Sequence, residues 1–274
     1  MGIRIIVDPG HYANYNRSPV VKDYYEGNQM WKLSQYLIEE LKKYNFEKVS
    51  CTKPSINDYP KYSKGDDIYT RGTKAKGYDV MLSIHSNACD TESVNRAVVI
   101  YPINNDGKGL ADKLGATIKT VMGLSSHQIY SKKGSNGNYY GVIRGAAAVG
   151  VPALILEHGF HTNTAVARWL MSDTNLKKLA EAEAKVVAAH YGVALKKQEK
   201  VEEEMTQEQF NKFMDNWLAE RAAKEPSQWS EEDRKWAEAN GIIQGDGEGM
   251  KYQSFCTREQ IVAILHRLYL MGLK

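Results

Sequence analysis

Cysteine is scarce, with three residues in a chain of 274: Cys51, Cys89 and Cys256. They lie far apart, form no CxxC pair and are odd in number, which argues against a disulfide framework or a thiolate metal site. Long apolar runs are absent too. No stretch approaches the roughly 18 to 20 apolar residues of a membrane span, so membrane insertion is not expected. The N-terminus has no basic segment, apolar core and small-residue cleavage site, because Met1 runs straight into the strand-like Ile3-Arg4-Ile5-Ile6-Val7. Synthesis in the cytoplasm without a signal peptide is the expectation. Basic residues are dispersed rather than striped, and the formal net charge is only +3, which argues against nucleic acid as a partner. What remains is 42% hydrophobic and 25% charged, the balance of a soluble globular protein. Collagen-like, mucin-like and wholly disordered chains are excluded.

The small net charge hides an asymmetry. Residues 1–200 hold 27 Lys and Arg against 19 Asp and Glu, whereas residues 201–274 hold 9 against 14. The sign changes within Lys196-Lys197-Gln198-Glu199-Lys200-Val201-Glu202-Glu203-Glu204, a charged run of the kind that forms a solvated linker. We therefore expect a first domain over residues 1–194, a linker over 195–204 and a small domain over 205–274.

Within the first segment, Ile3 to Val7, Lys48 to Thr52, Val80 to Ile84, Ala97 to Tyr101 and Ala153 to Leu156 read as strands. Helical spacing separates them, carried by Met30, Leu33, Leu37, Leu41 and Tyr44, by Leu110, Leu114, Ile118, Val121 and Met122, and by Leu176, Leu179, Val186 and Val187. This alternation predicts an α/β fold, with a twisted, mostly parallel sheet covered by helices on both faces. The second segment reads as all helix. Phe210, Phe213, Met214, Trp217 and Leu218 mark one stripe; Ser230 and Gly241 bracket a second helix; Thr257 and Gln260 form a capping box before Ile261, Ile264, Leu265 and Leu268. Three such helices are expected to bury a small core.

Three apolar runs end in ionisable groups: Asp8-Pro9-Gly10-His11, His85-Ser86-Asn87 and Glu157-His158-Gly159. In open α/β sheets, ligands bind beyond the carboxyl ends of the strands, so these groups can converge. Two imidazoles and a carboxylate suit a catalytic zinc with an open position for water. His11 and His85 are two candidate ligands, Glu26 or Asp23 is a third, and Glu157 is either a ligand or the base. Glu157 and His158 point to opposite faces of an extended strand, so both cannot bind one ion. His158 and His161 are read as supporting residues, and His127, His190 and His266 as ordinary ones. Asp8 either orients a ligand histidine or caps the Pro9-Gly10 turn. Gly134-Ser135-Asn136-Gly137-Asn138 lacks the Lys-Ser/Thr of a phosphate loop and is expected to be a flexible loop near the site.

Four blocks together make a resemblance specific: Ile6-Val7-Asp8-Pro9-Gly10-His11, the helix-opening Glu26, Ser83-Ile84-His85-Ser86-Asn87-Ala88, and Leu156-Glu157-His158-Gly159-Phe160-His161-Thr162-Asn163. Over about residues 1–192 the chain resembles the zinc-dependent N-acetylmuramoyl-L-alanine amidases of the type-3 family. That resemblance implies one Zn2+ held by His11, Glu26 and His85, with Glu157 as the catalytic carboxylate and bacterial peptidoglycan as the substrate. The chain departs from the family where two glycines often follow the first histidine, having Tyr12 and Ala13, and where Thr-Arg follows the second strand, having Thr52-Lys53. The stretch from Trp236 to Gly247, with Phe255 to Gln260, is similar to surface-layer-homology wall modules. The whole looks like an endolysin of a phage or prophage, or a lytic enzyme of a sporulating mother cell. Its expected C-terminal module binds the wall and can self-associate through exposed helical faces.

Overall fold

The computed structural model describes residues 2–58, 67–196, 205–245, 247 and 249–272. The chain divides into two compact units, Met1–Gln198 and Glu199–Lys274. Of the expected charged linker, residues 197–204 lie outside the described residues.

The first unit is built on a sheet of six strands. These are β1 (Arg4–Pro9), β2 (Lys48–Cys51), β3 (Val80–Asn87), β4 (Arg96–Ile100), β5 (Ser126–Tyr130) and β8 (Ala153–Phe160), in spatial order β2-β1-β3-β8-β4-β5. β2, β1, β3 and β8 run parallel, β4 runs antiparallel to β8, and β5 runs parallel to β4. The expected mostly parallel sheet is therefore present. Two further strands, β6 (Lys133–Gly134) and β7 (Gly137–Asn138), pair as a hairpin where a flexible loop was expected.

Alternation along each strand sorts the side chains. Ile5, Val7, Leu82, Ile84, Leu154 and Leu156 face one core with α1 (Glu26–Lys42), α3 (Lys108–Met122) and α6 (Asp173–Tyr191). Ile6, Met81, Ala153 and Ile155 face the other with α4 (Gly141–Ala148), which packs against α2 (Asp67–Thr73). The short α5 (Thr164–Leu170) follows β8. The second face continues upward, in the same alternation, through Asp8, Ser83, His85 and Glu157. Strand β8 runs to Phe160 rather than stopping near Leu156, so Glu157 sits inside the strand, paired in register with His85.

In the second unit, α7 (Gln207–Ala222), α8 (Glu231–Ala239) and α9 (Arg258–Leu270) are present, with capping boxes at Thr206/Gln209 and at Thr257/Gln260. Ser230 precedes α8, but its hydroxyl donates to Ser227 O (2.9 Å) and does not cap the helix. Gly241 ends that helix with φ 67°. The expected buried core needs correction. Phe210, Phe213, Trp217, Ile261 and Leu265 are exposed, and the buried hydrophobics among the described residues of this unit are Ala237 and Ile242. A periodic stripe tells which face of a helix is apolar, whereas burial also needs an element packed on it. Trp217 instead lies 5.9 Å from the Phe255 ring, with Arg221 over both.

Candidate active site

Three segments meet beyond the carboxyl ends of β1 and β3. The chain leaves β1 through Gly10, whose amide donates to Ile84 O (2.9 Å). A Cβ there would lie 2.6 Å from both Ile84 O and the His85 ring, so only glycine lets the two strand ends come this close. His11 follows at φ 59°, a left-handed conformation that costs a residue with a side chain free energy. That turn brings its imidazole to the His85 ring, with centroids 5.0 Å apart. His85 comes from the end of β3, next to a register shift between His85 and Asn87.

The third group is Glu26, the first residue of α1. No side chain caps this helix. Its first amides are held by the preceding loop, Glu26 N–H on Asn16 O (3.0 Å) and Gly27 N–H on Tyr15 O (3.3 Å). The Glu26 carboxylate is almost wholly buried. Oε1 accepts from Ser86 N–H and faces His85 Nδ1, both at 3.0 Å, while Oε2 faces His11 Nε2 at 3.2 Å and accepts from Asn16 Nδ2. Burial opposes its ionisation, but the hydrogen bonds from His11 and His85 outweigh it and hold the carboxyl far below the usual range. Burial pushes the His85 imidazole the other way, towards its neutral form.

His11, Glu26 and His85 offer one donor atom each within 4.8 Å of one another, the one such group among the described residues able to hold a metal ion. Two imidazoles and one carboxylate are a donor set that suits zinc. Asp23, the rival considered for the third position, is exposed and outside this group.

Glu157 stands beside the cluster without joining it. Its Oε2 is buried and has no hydrogen-bond partner. Burial, reinforced by the negative charge of Glu26, raises its pKa well above that of an ordinary carboxyl. A half-buried carboxyl with one enclosed, unpaired oxygen next to a candidate metal centre is poised to accept a proton. The carboxamide oxygen of Asn87, at the end of β3, accepts from Ala88 N–H (2.8 Å).

Asp8 does neither of the things expected of it. Fully buried, it pairs with Arg71 (Nε to Oδ1, 3.0 Å) and accepts from Thr52 Oγ1 (2.7 Å) and Ser83 Oγ (2.8 Å). Burial alone would raise its pKa, yet Arg71 and the two hydroxyls bring it down to about 2. Sequence reasoning missed Arg71, and it met Thr52 and Ser83 only inside motif blocks, not as partners of Asp8. Three polar residues on separate elements carry no shared spacing that could reveal them. Lys53 was noticed only as a departure. Its ammonium donates to the carbonyl of His11, and burial followed by the charge of Arg71 lowers its pKa to about 8.

The two histidines that follow Glu157, one in β8 and one just past its end, face the scaffold. His158 points to the opposite face from Glu157, with Nε2 2.7 Å from Glu183 of α6 and Nδ1 2.9 Å from His85 O. His161 Nδ1 meets Ser86 Oγ (2.9 Å), and the buried Tyr24 stacks on its ring and bonds the same hydroxyl (2.7 Å). Ser86 N–H in turn holds Glu26. These contacts fix the third corner of the cluster.

Comparison with known proteins follows the same lines. No curated protein sequence matches the chain. Among solved structures, an N-acetylmuramoyl-L-alanine amidase from Clostridium difficile 630 superposes with a TM-score of 0.58 at 22% identity, covering 69% of this chain and 96% of its own. The catalytic domain of CwlV, an amidase from Bacillus (Paenibacillus) polymyxa var. colistinus, gives 0.56 at 18%, over 69% and 97%. AmiC2 of Nostoc punctiforme gives 0.54 at 20%, over 69% and 96%. At these identities the likeness establishes the fold. The family profile for N-acetylmuramoyl-L-alanine amidases matches residues 5–189, which include His11, Glu26, His85 and Glu157. The chain belongs to the N-acetylmuramoyl-L-alanine amidase family.

Proposed function

We propose that the protein is a zinc-dependent amidase that hydrolyses the bond between the lactyl group of N-acetylmuramic acid and L-alanine in peptidoglycan. The observation that carries this reading is the convergence of His11, Glu26 and His85 beside the unpaired Oε2 of Glu157. His11, Glu26 and His85 would hold the zinc. When bound, it supplies a Lewis acid that polarises the lactyl carbonyl and lowers the pKa of the attacking water to roughly 7.

The protein's own groups do the rest. Glu157 takes a proton from the water as its oxygen bonds to the lactyl carbonyl carbon. As the C–N bond breaks, the same carboxyl returns the proton to the departing L-alanine nitrogen. The products are a lactyl carboxylate and a free L-alanine amine. Ser86 N–H and Asn16 keep the Glu26 carboxylate in place, and Lys53 anchors the His11 carbonyl.

Purified protein incubated with peptidoglycan should release peptides with new N-terminal L-alanine, identified by mass spectrometry. A chelator should abolish the release and added zinc restore it. New termini within the stem peptide, or release that survives chelation, would overturn this assignment.

The second unit is a wall-binding module in this proposal. A groove beside α8 is lined by Trp229 and Trp236, 84% and 52% exposed, together with Ser227, Arg234 and Tyr252. The net negative charge of residues 201–274 opposes attraction to anionic wall polymers, so aromatic and hydrogen-bonding contacts must supply the affinity. Trp229→Ala with Trp236→Ala should sharply weaken pelleting of the full chain with cell walls. Binding by the unaltered chain should change little between low and moderate salt. Binding lost on adding salt would point to bulk charge instead.

A further inference from the structure

The loop between β1 and α1 carries a row of aromatic rings that the chemistry described so far does not use. The His11 ring stacks on Tyr15, with centroids 4.6 Å apart and planes at 25°. Tyr15 in turn meets Tyr12 at 4.7 Å. Tyr12 and Tyr15 are 36% and 41% exposed, so the row runs from the candidate metal centre into solvent.

The loop is held firmly in this shape. Asn14 and Asn28 bond reciprocally at 2.8 and 2.9 Å, and His11, Asn14 and Asn16 all adopt left-handed backbone conformations. Gly27, in the first turn of α1, gives the loop room: a Cβ there would lie 1.9 Å from Tyr12 O. A left-handed histidine, with asparagines at the other two left-handed positions, and large exposed rings are unusual in a mere connection. They are explained if the rings meet a ligand.

The order of the strands says which part of the substrate that ligand is. His11 leaves β1, His85 belongs to β3 and Glu157 to β8, three adjacent strands. His11 and Glu157 are thus on opposite flanks, two strand spacings or roughly 10 Å apart at the backbone. Glu157 must reach the nitrogen of the departing L-alanine, so the peptide leaves on the β8 flank. The acyl side, a lactyl group a few covalent bonds from the muramyl ring, then extends over the β1 flank, onto the row of rings. Basic groups gather elsewhere, where Lys132, Lys133 and Arg144 line a cleft with Tyr139 at the β6–β7 hairpin that leads into α4. That composition suits the carboxylates of a stem peptide and leaves the uncharged saccharide to the tyrosines.

We propose that Tyr12 and Tyr15 form a saccharide subsite that packs against the apolar face of the muramyl ring and selects glycan-attached over free peptide substrates. The proposal rests on the amidase reading and on Glu157 as the proton carrier. It is specific to this chain's departure from two glycines after His11.

The test compares the full chain with Tyr12→Ala, Tyr15→Ala and Tyr15→Phe on two substrates, N-acetylmuramyl-L-alanyl-D-isoglutamine and the same lactyl peptide without the sugar. Both alanine variants should lose about tenfold in kcat/KM on the muramyl substrate, through KM, a change in binding of roughly 1.4 kcal/mol. They should stay near the unaltered chain on the sugarless one. Tyr15→Phe should match the unaltered chain on both, because the ring is kept. Equal losses on both substrates would show that Tyr15 acts only by positioning His11, and unchanged KM on both would remove the subsite; either result overturns the proposal. A second measurement needs no activity. N-acetylglucosaminyl-N-acetylmuramic acid, free of peptide, should shift the Tyr12 and Tyr15 ring resonances of the full chain, and Tyr15→Ala should abolish saturation transfer from the Tyr12 ring to the sugar. If the unaltered chain releases no L-alanine amine, the amidase reading fails, while this sugar titration still decides the subsite. Tyrosine rings unmoved by the disaccharide would overturn it.

Discussion

Glu157→Gln should bind zinc close to normally and lose about 10²- to 10⁴-fold in amide hydrolysis, the range typical of removing a general base. Glutamine keeps the shape of the side chain, and all three candidate ligands remain. It cannot take the proton from water or return it to the L-alanine nitrogen. His85→Ala, by contrast, should lose metal and activity together, because one of the three donors is gone. Metal analysis alongside product release separates the two kinds of loss. A zinc-free Glu157→Gln protein would make Glu157 a ligand and the assignment of roles wrong. The direction of its pKa adds a second check. Burial and the neighbouring Glu26 raise it, so in metal-free protein this carboxyl keeps its proton to a higher pH than an exposed glutamate. The titration should be visible by carbonyl infrared spectroscopy in the unaltered chain and missing from Glu157→Gln.

Much of this site could be read from local sequence because strands and chemistry coincide. An apolar run that ends in a histidine or a glutamate places that group at a strand end, and parallel neighbours bring strand ends together. Alternation along the run from Ala153 also separates Glu157 from His158 in the sequence itself. What it could not give was the partner of His158, since Glu183 is on α6, 25 residues away, with helical spacing suited to any buried face. The same holds for the loop from Tyr12 to Tyr25. The first amides of α1 donate to its backbone carbonyls, and carbonyls look alike in every sequence. The edge strand Ser126–Tyr130 went unread because a polar strand paired on one side lacks the apolar run that marks interior strands. The C-terminal helices were legible one by one, through their spacing and the Thr257/Gln260 box. Their packing was not, because burial depends on which elements meet.

Breaking the pair beneath the site should cost more stability than any other single change at it. Asp8 is fully buried, Arg71 nearly so, and each is the other's charge partner. Asp8→Asn removes the carboxylate charge that Arg71, Thr52 and Ser83 hold in a dry setting, and losing one partner of a buried pair typically costs about 3–5 kcal/mol. For a unit of this size that lowers the melting temperature by about 10 °C. Arg71→Met should cost a similar amount in neutral solution, with less at low pH, where a protonated Asp8 no longer needs a counter-charge. The acid behaviour follows from the direction of the shift. The folded pKa, about 2, lies below that of an ordinary aspartate, so this stabilisation is complete above about pH 4 and is lost as pH falls through 2. Its size is roughly 2 kcal/mol, taking 1.36 kcal/mol per unit. Denaturant midpoints measured from pH 7 down to 2 should therefore fall more steeply for the unaltered chain than for Asp8→Asn, whose deficit narrows as the acid removes what the substitution already removed. A deficit that stays constant over that range would mean that Asp8 stabilises the fold by packing and hydrogen bonding alone, and that its charge contributes nothing.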